Sequence, residues 1–166
     1  MNIVFLDIDG VLNDSKTEEK CGVYRGISTK LLKNLFSVVS KTNSKIVLVS
    51  SWKKYWFKEP ELKGNQDEFA NYLDERLASM NMSIYDKIES NFLDRGRGIR
   101  RYLFKIKKTE EEINFVILDD EMFDYREHHL SGRLIRTNFK EGGLTELKAH
   151  MAIDLMLNQQ LMHLGG

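Results

Sequence analysis

Ile3-Val4-Phe5-Leu6-Asp7-Ile8-Asp9-Gly10-Val11-Leu12-Asn13 is the stretch on which the reading of this chain turns. Four consecutive apolar residues, with β-branched and aromatic side chains among them, predict a strand buried on both faces. They run directly into two carboxylates one residue apart and then a glycine. A parallel α/β sheet binds ligands beyond the carboxyl ends of its strands, so acids placed there stand where a substrate arrives. Side chains two apart on a strand share a face, which predicts that Asp7 and Asp9 point the same way unless the chain bends at Gly10. Carboxylates forced together repel unless a cation or a shared proton intervenes, and hard oxygen ligands of this kind suit Mg²⁺.

The same pattern of an apolar run stopping at polar residues occurs twice more. Lys45-Ile46-Val47-Leu48-Val49 ends at Ser50-Ser51, and Ile113-Asn114-Phe115-Val116-Ile117-Leu118 ends at Asp119-Asp120. Between and after these runs, apolar residues at helical spacing predict helices over 27–40 (Ser28 or Thr29 as cap), 67–80, 98–107 and 144–164. In the last of these, Leu147, Met151, Leu155 and Leu161 fall at apolar positions, and Gly165 and Gly166 should fray. Short strands are expected at 84–88 and 134–135. Strands alternating with helices imply a three-layer, Rossmann-like α/β fold with a central parallel sheet, and 166 residues suit a single domain.

Lysine plus arginine and aspartate plus glutamate both number 25, so there is no bulk field for nucleic acid or membrane and any anion recognition must be local. Asp7 and Asp9 interrupt what would have to be the apolar core of a signal peptide, and no window approaches a membrane span. Cytoplasmic residence is the default expectation. Cys21, alone, has no disulfide partner in the chain and cannot build a cysteine-cluster zinc site.

Asp7-Ile8-Asp9-Gly10-Val11-Leu12-Asn13 resembles the first motif of the haloacid dehalogenase (HAD) superfamily in its phosphatase form. The resemblance implies that Asp7 is the nucleophile toward phosphorus and Asp9 the general acid and base, with Gly10 beside the substrate. Ser50, with Ser51 as neighbour and possible substitute, takes the place of the second motif, a hydroxyl donor to phosphoryl oxygens. Arg95, or alternatively Arg97, takes that of the third-motif cation. Asp119-Asp120 resembles the acidic fourth motif, which completes a Mg²⁺ site with Asp7 and the backbone carbonyl of Asp9; Asp120 is the expected direct ligand and Asp119 an outer or alternate one. Gly143-Leu144-Thr145 is similar to a capless subgroup that resembles the phosphatase part of "Swiss army knife" RNA-repair proteins.

This resemblance implies a Mg²⁺-dependent phosphomonoester hydrolase working through an aspartyl-phosphate. The rivals are a phosphoryl transferase on the same fold and a non-catalytic phosphate-binding regulatory module. Residues 14–26 are expected to form a flap-like loop, and 52–94 a small insertion with one helix, so no large cap closes the site. An open site admits the end of a polymer, which makes nucleotide or nucleic-acid terminal phosphates the expected substrates. Trp52-Lys53-Lys54-Tyr55-Trp56-Phe57-Lys58 fits two readings equally: Trp52 and its fellow aromatics stack a base while Lys53 holds a phosphate, or the aromatics plug the core. His128 and His129, adjacent and without partner ligand spacing, are expected at the surface.

Overall fold

The computed structural model describes residues 1–110 and 112–164, with side chains through residue 158; Leu161, Gly165 and Gly166 lie outside the described side chains and residues. Its centre is a five-stranded parallel sheet. The strands are β1 (Asn2–Leu6), β4 (Lys45–Leu48), β5 (Ile84–Lys87), β6 (Asn114–Asp119) and β7 (Leu134–Arg136), in the spatial order β5-β4-β1-β6-β7. A two-stranded hairpin, β2 (Lys20–Cys21) and β3 (Tyr24–Arg25), stands apart within the 14–26 segment.

The apolar runs divide by strand parity. Val4, Leu6, Ile46, Leu48, Val116 and Leu118 face one layer, which contains α1 (Thr29–Thr42), α2 (Glu68–Ala78) and α4 (Glu146–Leu164). Ile3, Phe5, Val47, Val49 and Ile117 face the other, where Ile99 and Tyr102 of α3 (Arg95–Ile106) complete a second core. β1, β4 and β6 are therefore buried on both faces, and each core leucine or isoleucine contributes roughly 1.5–3 kcal/mol. This is the three-layer α/β arrangement implied by the alternating elements.

Local signals start and stop the helices. Ser28 caps α1, its Oγ accepting from Leu31 N, and Asn43 ends the helix in the left-handed region at φ 48°. Asp67 caps α2 by accepting from Ala70 N at 2.8 Å. Segment 52–94 holds α2 and, where a short strand is expected at 84–88, β5, so most of it is the crossover from β4 to the sheet edge. No described helix is long and apolar enough to cross a membrane.

Two loops bind the carboxyl end of the sheet into one unit. The chain after β1 turns immediately, with Val11 N and Leu12 N both donating to Ile8 O. Leu144 N donates to Val11 O at 2.9 Å, and Gly143, at φ 60°, lies so close that a β-carbon would stand 2.9 Å from the same carbonyl.

Candidate active site

Asp7 follows β1 on the parity of Ile3 and Phe5, and Asp119 ends β6 on the parity of Ile117, so both carboxylates emerge on the α3 side. There Arg95, the first residue of α3, bridges them. Its Nη1 lies 3.1 Å from Asp7 Oδ1 and 2.8 Å from Asp119 Oδ2. All three residues are buried, at 3%, 4% and 0% exposure for Arg95, Asp7 and Asp119. Burial opposes the charge on Arg95, but Asp7 and Asp119 outweigh it and keep the guanidinium charged. Phe123 and Phe92 lie over that guanidinium, 4.3 and 5.4 Å from ring centroid to Cζ.

Asp120 is the third acid. Carboxylate oxygens of Asp7, Asp119 and Asp120 lie within 4.8 Å of one another. Burial and the neighbouring Asp119 push Asp7 well above the usual carboxylate range even though Arg95 pulls it down. Burial, Asp119 and Glu121 push Asp120 up to about 6. One arginine against three carboxylates leaves the centre short of positive charge, and an all-oxygen set of this kind fits Mg²⁺. The three acids are not equally available to it. Asp119 Oδ2 accepts from Arg95 and from Tyr125 Oη at 2.7 Å, and its Oδ1 accepts from Glu121 N at 3.2 Å. Asp120 has no donor on its carboxylate among the described residues; it rests against Gly10, where any β-carbon would overlap it and where φ is 77°. Asp120 and Asp7 are the oxygens left to hold a cation.

Asp9 departs from the expected direction. The strand ends at Leu6 and the turn begins at Ile8, before Gly10, so Asp9 does not share a face with Asp7 and its carboxylate is not in the acidic cluster. It is exposed, and each oxygen is held: Oδ1 by Asn13 Nδ2 and Oδ2 by Trp52 Nε1, both at 3.0 Å. Asn13, 1% exposed, also accepts from Gly10 N and donates to Gly26 O, so it fixes the whole turn. Of the expected metal set, Asp9 contributes no side-chain ligand.

Of the two readings of Trp52, burial favours the core. Its ring is 8% exposed and packs on Phe69, centroids 5.1 Å apart, with Tyr72 beyond it. Trp56 is likewise core, at 2% exposure, with Nε1 donating to Asp74 Oδ1. Neither indole offers a face to a base.

Ser50 lies just past β4, fully buried; its Oγ accepts from Trp52 N at 3.2 Å and caps a 3-10 turn over Ser51–Tyr55. This uses one lone pair and leaves the O–H free to donate. Ser51 is exposed. Lys53 is half-buried, and burial, together with the charges of Arg95 and Lys87, lowers its pKa. Arg97 is exposed and only its backbone N–H is engaged, so of the two arginines it is Arg95 that meets Asp7 and Asp119.

Sequence reading missed three residues that hold the centre. Asp124 accepts from Gly96 N at 2.6 Å and Arg97 N at 3.1 Å, capping α3 from another loop and thereby setting Arg95. Tyr125, whose hydroxyl burial and Asp119 push far up in pKa, stays a proton donor to Asp119. Thr137 ties β7 to the first turn, its N donating to Asp119 O and its Oγ1 to Gly10 O. None of the three belongs to an apolar run or a short motif. His129 is exposed, and His128 sits 3.3 Å from Asp124; neither joins a metal-ligating cluster among the described residues.

No curated protein and no solved structure matches the chain. Residues 3–149 do match a family model, described as the HAD domain in Swiss Army Knife RNA repair proteins. The match runs from β1 into α4 and so takes in every residue of the centre described above. By that match, the chain belongs to this HAD family.

Proposed function

We propose that the protein is a Mg²⁺-dependent phosphomonoester hydrolase acting through an aspartyl-phosphate on Asp7. One observation carries this reading: a single buried arginine nitrogen bridges Asp7 and Asp119 within a three-carboxylate cluster at the carboxyl ends of β1 and β6. Such a cluster is costly unless it has a use, and covalent catalysis by a carboxylate needs a nucleophile that is oriented and whose charge is offset when phosphate approaches. Arg95 orients Asp7 and would face the phosphoryl oxygens, and Ser50, just past the end of the neighbouring strand β4, would be a neutral donor to them. Asp7 and Asp120 would hold Mg²⁺, whose charge would let an anionic phosphate approach an anionic nucleophile.

The proton traffic falls to Asp9. Asp7 forms a bond to phosphorus, the bond to the leaving oxygen breaks, and that oxygen takes its proton from Asp9. Asp9 then takes a proton from water as the water attacks phosphorus, which frees phosphate and restores the Asp7 carboxylate. Asn13 and Trp52 keep Asp9 turned toward solvent, where a leaving group stands.

Terminal phosphates of nucleotides or nucleic acids are the substrates this reading favours. Its support is the family description, which names RNA repair, and the lack of any element larger than the β2–β3 hairpin in segment 14–26. The test compares kcat/KM for a phosphorylated oligonucleotide, a mononucleotide and a hexose phosphate, each with Mg²⁺ and with EDTA. Preference for the oligonucleotide with loss of turnover in EDTA is expected. Preference for the hexose phosphate overturns the substrate, and EDTA-insensitive turnover overturns the metal dependence.

A further inference from the structure

The loop between β5 and α3 sets two large apolar side chains in solvent beside the acidic centre. Phe92 is 59% exposed and Leu93 71%. Phe92 is nevertheless fixed in place. Its ring meets Phe123 edge to face, centroids 5.3 Å apart, and the Arg95 guanidinium lies beneath it on the way to Asp7. Phe123 holds its side of the pair at φ 41°, a region unfavourable to a bulky side chain and one that clusters at ligand clamps. An exposed ring held by a strained neighbour and a catalytic cation is poorly explained as packing.

A groove of about 610 Å³ runs past Phe92, with Lys53, Lys54, Lys87 and Arg101 on its walls against Glu89 and Asp94. Lys87 is committed to structure, donating to the carbonyls of Lys53 and Trp56 at 2.9 and 2.6 Å. Lys54 and Arg101 are exposed, and Lys53 is near enough to the centre to feel Arg95 and Asp7. The groove thus borders the active site, where Ser51 follows Ser50 and Phe92 stacks on Arg95, and it carries an excess of cations in a chain with no net charge.

The geometry points to this groove as the track for the strand behind a nucleic-acid terminal phosphate, with Phe92 as the platform for a nucleobase and Lys53, Lys54 and Arg101 holding the backbone phosphates next to it. The inference rests on the phosphatase reading only for where the terminal phosphate sits. A ring beside spaced cations matches the repeating base and phosphate of a single strand, whereas a phosphopeptide presents one phosphate and no stacking partner. The role that the sequence offered to the tryptophans falls instead to a phenylalanine about forty residues later, which lies outside any motif.

The test measures binding of a short, 5′- or 3′-phosphorylated single-stranded oligonucleotide to the Asp7→Asn protein, which holds ligand without turnover. In that background Phe92→Ala should weaken binding roughly five- to hundredfold, and Phe92→Trp should restore it. Lys54→Glu and Arg101→Glu should each lower the slope of log Kd against log salt by about 0.7 for every backbone phosphate no longer neutralised. Melting curves for each variant check the fold, and the two charge reversals carry the test if Phe92→Ala proves unstable. The inference is overturned if Phe92→Ala changes Kd by less than about twofold while the charge reversals leave the salt slope intact, or if a phosphoserine peptide of equal charge binds as tightly. Hydrolysis of an aryl phosphate without oligonucleotide binding sinks the groove and leaves the phosphatase standing. Phe92-dependent binding without hydrolysis of any phosphomonoester supports the groove and removes the phosphatase.

Discussion

Asp7 and Asp9 are the same residue type two positions apart, and the fold gives them opposite surroundings. Asp7 is buried against Arg95 and two further acids, and its anion is disfavoured until more positive charge arrives. Asp9 is exposed and gripped by two neutral N–H donors, from Asn13 and Trp52. The difference arises at one place, the turn beginning at Ile8, which rotates the second acid off the strand parity that governs the first. On the proposed mechanism the two carboxylates take two roles because their environments differ, not because of their chemistry.

The largest effect expected is that of Asp7→Asn. It removes the attacking charge and little volume, so turnover should fall by a factor on the order of ten thousand or more with the melting temperature kept or raised. Asp9→Asn should act differently. Alkyl phosphates, whose leaving oxygen needs a proton, should lose roughly a hundredfold or more, and an activated aryl phosphate much less. Equal losses on both substrates would erase the distinction between the two acids.

Arg95→Ala sharpens the comparison from the Asp7 side. Removing this buried cation leaves Asp7 and Asp119 without a counter-charge, and a loss of roughly 3–5 kcal/mol in a denaturant titration is expected without metal. Added Mg²⁺ should recover part of it. A variant as stable as the parent would mean that the bridge does not hold the two acids.

From the Asp9 side, Trp52→Phe keeps a ring against Phe69 and deletes only the bond to Asp9 Oδ2. Stability should fall by about 1 kcal/mol, while kcat for alkyl phosphates falls about tenfold. Loss of stability with unchanged leaving-group dependence would return Trp52 to the core alone.

The smallest effect concerns pH. In the metal-free protein Asp120 is raised from 3.8 to about 6, so between these values the folded state keeps a proton that the unfolded state has released. Stability should therefore decline as pH rises from about 4 to about 6, with Asp7 extending the decline upward. Saturating Mg²⁺ should flatten the profile, as melting curves across that range would register.

β1, β4 and β6 were legible in the sequence because burial on both faces writes itself as an uninterrupted apolar run. Strand parity then accounts for Asp7 and Asp119 meeting on one side. What was not legible depends on contacts between distant segments. Sequence places the start of α3 at Gly98, where the helical spacing of Ile99, Tyr102, Leu103 and Ile106 begins, yet it begins at Arg95 because Asp124 caps it from 28 residues away. The direction of Asp9 was missed because a turn, unlike a strand, has no period to extrapolate. Trp52 and Trp56 showed only that aromatics were present, and their burial is decided by α2 packing over them.

The central claim is that Asp7, and not Asp9, becomes bonded to phosphorus. Acid-quenching the protein during turnover of a radiolabelled activated aryl phosphate, whose leaving group needs no proton from Asp9, then mapping the label by peptide digestion, tests it directly. The account predicts a transient label on the peptide containing Asp7, absent in Asp7→Asn and accumulating in Asp9→Asn, where the second step lacks its base. Steady turnover with no protein-bound label in either the parent or Asp9→Asn, or label on any other residue, would contradict it.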